Sequence, residues 1–92
     1  MSEGDDVKAK AIVDAVSREL QNDSEARQQG LHVTGSAWDI DWLHVMVVPS
    51  VDGVRAYEFA ETLSRVEGIV RNKRGYPQIL LVPASASGRW AG

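Results

Sequence analysis

At Gly30 the spacing of apolar residues along this chain changes period, and that change restricts the fold more than any single motif does. Before it, Ala9, Ile12, Val13, Val16 and Leu20 recur at three-and-four spacing, which places them on one face of a helix. Beyond it, Leu31, Val33, Gly35 and Ala37 alternate with His32, Thr34, Ser36 and Trp38, the two-residue period of a strand. A chain that switches period must pack a helix stripe against a sheet face. Gly30 is the natural stop between the two, because glycine adopts a left-handed helix cap without steric cost.

The alternation resumes after Asp39-Ile40-Asp41, which reads as a three-residue hairpin loop. From Trp42 to Pro49, Leu43, Val45 and Val47 alternate with Trp42, His44, Met46 and Val48. Ser50 or Asp52 is the expected cap of the next helix. Its buried face is drawn by Val54, Tyr57, Phe59, Ala60, Leu63, Val66 and Val70, and Gly75 and Pro77 close it. A last strand, residues 78–83, is apolar on both faces. The segments 1–5 and 84–92 are expected as a loose leader and a flexible tail, with Asp5 or Asp6 capping the first helix. The stretch from Gln21 to Gln29 either continues that helix or breaks it near Asn22-Asp23-Ser24.

The expected order is therefore α-β-β-α-β in a single α+β domain. The second and third strands run parallel through a crossover helix, and both helices lie on one face of a three-stranded mixed sheet. This is a two-layer sandwich, a truncated ferredoxin-like fold lacking its first strand. The same order is similar to that of the cytoplasmic domain of cation diffusion facilitators and, with an extra helix, of ribosome-binding factor A. The resemblance is one of topology, which does not transmit function. The transporter domain's metal-binding histidines near the second helix and last strand have no counterpart, since no histidine follows His44. The Gly-x-x-Gly loop of KH-type RNA binders is also missing.

Composition narrows the function classes. With no cysteine in 92 residues there is no thiol catalysis, disulfide or thiolate metal site. A net charge of -3 lacks the basic balance of a dedicated nucleic-acid binder. The acidic start and the lack of a long apolar run lead to a cytoplasmic expectation without membrane contact. His32 and His44 fall too far apart along the expected ladder to share one metal ion, so no metal and no cofactor is expected. Ser36 opposite His44 would suggest a nucleophile and base, but no orienting acid or oxyanion donor accompanies them. A cross-strand hydrogen bond explains the pair more simply, and no catalytic residue is assigned.

Two surfaces remain. Arg65, Arg71, Lys73 and Arg74 gather toward the end of the second long helix, where positive charge suits the helix dipole whatever the function. Arg71, Lys73 and Arg74 are the candidate nucleic-acid contacts of an RNA-binding accessory factor. The larger anomaly is the sheet face turned away from the helices. Alternation assigns it Trp38, Trp42, His44, Met46, Val48, Leu80 and Val82, with two tryptophans among them. The expected function is a small non-enzymatic protein-interaction or oligomerisation module, a homodimer or a complex with another protein, joined through this face. Folding of the tail, with Trp90, back onto the face is the competing explanation.

Overall fold

A computed structural model describes residues 3–84 of the chain. The elements are α1 (Glu3–Asn22), α2 (Ser24–Gln29), β1 (His32–Asp39), β2 (Trp42–Val48), α3 (Ala56–Lys73) and β3 (Ile79–Pro83). The strands form one sheet in the order β1-β2-β3, with β1 antiparallel and β3 parallel to the central β2. The protein is thus an α+β structure with a three-stranded mixed sheet, as the change of period implied. None of its helices, among the described residues, is long and apolar enough to cross a membrane.

One core joins the layers. Ile12, Val16 and Leu20 of α1 and Phe59, Leu63, Val66 and Val70 of α3 bury themselves against Leu43, Val45 and Val47 of β2. Ile79 and Leu81 extend the same sheet face on β3. Removing this much apolar side chain from water is the main source of stability in so small a domain.

The helical elements depart from expectation at their ends. α1 starts at Glu3, so residues 3–5 belong to a helix rather than a leader, and Asp5 and Asp6 lie inside it instead of capping it. The Trp38 indole N–H donates to the Asp5 carbonyl at 3.3 Å, tying that first turn down. The chain breaks at Asp23, which takes an extended conformation and accepts the Ala26 N–H at 3.0 Å as the cap of α2. The described residues therefore contain three helices. Gly30 ends α2 at φ 66°. Its carbonyl accepts both the backbone N–H and the hydroxyl of Ser50, each at 3.0 Å. Ser50 is consequently occupied and does not cap α3, and neither does Asp52. That helix begins later, with Arg55 at the cap and no side-chain bond there. Tyr57 and Ala60, expected in its buried face, are exposed.

The hairpin contains the one irregularity that redistributes side chains. Register shifts between Val33 and Gly35, so that Thr34 is an extra residue on β1. Past this bulge, Trp38 pairs with Leu43, Ala37 with His44, Ser36 with Val45 and Asp39 with Trp42. The connection is a two-residue turn with Ile40 at φ 56°, not a three-residue loop. A one-residue shift moves every following side chain to the other face.

Candidate interaction surface

The bulge carries Trp38 onto the helix side of the sheet, contrary to the alternation expected for β1. There it packs against the core, and the Lys8 ammonium stands 5.8 Å from its ring centroid. Burying the indole against α1 and satisfying its N–H outweighs an unbroken ladder. Ser36 moves with it, so it does not face His44, and the serine–histidine juxtaposition dissolves.

The face opposite the helices is left with Asp39 and Ala37 of β1, Trp42, His44, Met46 and Val48 of β2, and Leu80 and Val82 of β3. None of these belongs to the core cluster. Their exposure is uneven. Trp42 and Leu80 each keep 40 % of their surface in solvent, whereas Val48 and Val82 keep 5 % and 4 %. His44 and Met46 are half-buried. The open apolar surface is therefore concentrated at the Trp42–Leu80 end. Both the expected flexible tail and the competing explanation, that Trp90 folds back onto this face, concern residues 85–92, which lie outside the described ones. Ala84, the last described residue, still donates to the Val47 carbonyl at 2.9 Å and continues the ladder.

Charge on this face is sparse and of both signs. His44 Nε2 lies 3.9 Å from Asp39 Oδ2, near one edge. At the other edge the Arg71 guanidinium stands 5.4 Å from the centre of the Trp42 ring. His32 is occupied separately, with Nδ1 3.1 Å from the Gly30 carbonyl oxygen. Among the described residues, no three histidine, aspartate or glutamate side chains converge as a metal site.

Both edges of the sheet are defended. On β3 the outward Ile79 carbonyl accepts from Arg71 Nε and Nη2 at 3.2 and 2.7 Å. The outward Leu81 N–H donates to Glu67 Oε1 at 2.9 Å. Glu67 and Arg71, one helical turn apart and 3.7 Å from each other, thus occupy two of the strand's outward hydrogen-bonding groups. The β1 edge carries the bulge. Arg71, expected from the sequence as a helix-end cation and candidate nucleic-acid contact, is thus bound to the sheet edge.

Two other arginines of the α3 region, Arg65 and Arg74, are also engaged within the molecule. Arg65 makes two 2.9 Å bonds to the Asp23 carboxylate and reaches Glu25 at 3.4 Å. Arg74 holds Glu19 with bonds of 3.0 and 2.9 Å. Of Arg71, Lys73 and Arg74, only Lys73 has no ion pair among the described residues. The Arg65 hydrogen bond holds the Asp23 carboxyl below its ordinary value, with the Ala26 N–H adding to the effect against the opposing cost of burial. A depressed carboxylate pKa contributes stability above its unfolded value and loses it as pH falls through the folded value. Asp23→Asn should therefore lower the thermal midpoint at neutral pH, and the gap from wild type should narrow as pH falls below the ordinary aspartate value of 3.8. A gap that keeps its size throughout an acid titration would contradict the pairing.

Comparison with known protein families, with curated proteins and with solved structures finds no match to this chain, so its site is read from its own residues.

Proposed function

We propose that this protein is a small self-associating interaction module that forms a weak homodimer through the sheet face turned away from the described helices. The observation that carries the reading is Trp42 and Leu80, two large apolar side chains at 40 % exposure on adjacent strands of a face that no described helix covers. Two further features support it. Edge-to-edge strand pairing is discouraged on β3 by Glu67 and Arg71 and on β1 by the bulge. The face itself carries little charge, so a second copy meets no strong repulsion.

Magnitude sets the strength. Three strands spaced about 4.8 Å apart and about seven residues long present a flat footprint of roughly 300 Å². A stable interface removes about 800 Å² of accessible surface from each partner. Association entropy takes much of the apolar gain, so the dimer belongs in the micromolar range or weaker. Two sheets stacked back to back would lie about 10 Å apart with the helices outside. Light scattering across a concentration series tests this: mass should rise toward twice the chain mass. A constant single-chain mass would refute it.

RNA binding through the end of α3 draws less support, because Arg71 and Arg74 are already paired with Glu67 and Glu19. No appreciable RNA binding is expected at physiological salt. Tight binding that weakens steeply with salt, and weakens further when Arg71, Lys73 and Arg74 become glutamine, would overturn this.

A further inference from the structure

The open part of the sheet face is uneven from one edge to the other. On β1 it offers Ala37, small and exposed, and Asp39, with 71 % of its side chain in solvent. On β2 and β3 it offers Trp42 and Leu80, both large. Ala37, His44 and Leu80 lie side by side in one row across the three strands, and Asp39 lies beside Trp42 in the next. Charge follows the same division. Asp39 marks the β1 edge, while Arg71 reaches the β3 edge with its guanidinium on the Ile79 carbonyl. Arg71 keeps 33 % of its side chain in solvent and its neighbour Glu67 only 18 %, so the cation is the more open charge there.

We propose that the second copy docks with its β1 over the β3 of the first, about a two-fold axis that runs between the two β2 strands and parallel to them. This orientation rests on the homodimer reading above and specifies which residues meet. Two aligned sheets stacked face to face can be related by a two-fold axis along the strands or across them. An axis across the strands lays β1 on β1 and β3 on β3. Small residues then face small ones, large face large, and the two Asp39 edges come together. An axis along the strands exchanges the outer strands and keeps each row at its own level. Leu80 of each copy then fills the space above Ala37 of the other, and Asp39 of each approaches Arg71 of the other. Large against small is how packed layers interdigitate, and opposite charges at a rim favour one orientation over another. Trp42 fits the same arrangement. Arg71, fixed at the β3 edge, stands 5.4 Å from the centre of its ring, so each indole leans off the axis and the two pass each other.

The chain has no cysteine, so a single one can be introduced without removing any. Ala37→Cys and Leu80→Cys, both outside the core, are mixed in equal amounts and treated with a short bifunctional thiol reagent at concentrations where sedimentation shows association. The product joining one variant to the other should exceed either same-site product severalfold. Opposed positions face each other across the stack, whereas like positions are offset by two strand spacings, about 10 Å. Exchange of side-chain size gives an independent readout. Ala37→Leu alone should weaken association about fivefold or more by setting large against large, and adding Leu80→Ala should recover most of the loss. Association in which same-site products dominate, or which Ala37→Leu strengthens, would overturn this orientation and leave the dimer standing. A wild-type chain that does not associate would overturn both.

Discussion

Gly30→Ala is expected to lower the thermal midpoint by roughly 10–20 °C, since each kcal/mol shifts a domain of this size by about 4–8 °C. Two effects add. At φ 66° an alanine Cβ crowds the following carbonyl, costing about 1–2 kcal/mol. That Cβ would also overlap the Ser50 hydroxyl, which hydrogen-bonds the same residue's carbonyl. Relieving such overpacking costs about 1–3 kcal/mol more. Gly53→Ala supplies the comparison, because φ is also positive there but a Cβ meets nothing. It should show the conformational penalty alone. Equal midpoints for the two variants would mean that Gly30 does not join the α2 terminus to the turn after β2.

Trp42→Glu combined with Met46→Glu is expected to weaken self-association by roughly a hundredfold or more, as loss of a tryptophan anchor and added like charge imply. Neither side chain belongs to the core, and Leu43, Val45 and Val47, which do, are untouched. The variant should keep its far-ultraviolet spectrum and most of its thermal stability. Arg71 gives up its place over the Trp42 ring, but its bonds to Ile79 and Glu67 remain. Unfolding of the variant at every concentration would show instead that this face supports the fold.

The order of elements and the parallel pairing of β2 with β3 were legible because their apolar residues are large and strictly periodic. Leu43, Val45, Val47, Ile79 and Leu81 leave no choice of face. β1 was not legible beyond Val33. Gly35, Ser36 and Ala37 are small, so no strong apolar preference specified the register and one extra residue could be absorbed. Gly35 inside a strand was the available hint of a bulge. Trp38 was consequently assigned to the wrong face, and with it the neighbour of Ser36. The ends of α1 and α3 failed for another reason. Asp5, Asp6, Ser50 and Asp52 all have capping chemistry, and only tertiary contacts decide which residues cap and which are engaged elsewhere. Ser50 is held by Gly30, twenty residues away in sequence. The residues of the sheet face opposite the helices were thus readable on β2 and β3 and misread on β1.

Sedimentation equilibrium of the intact chain over a wide concentration range tests the central claim most directly. Self-association through the sheet face predicts a weight-average mass that climbs from 10.1 kDa toward twice that value. The Trp42→Glu, Met46→Glu variant should stay at the single-chain mass throughout. A wild-type protein that remains monomeric at the highest concentration, or a variant that dimerises as the wild type does, would contradict it.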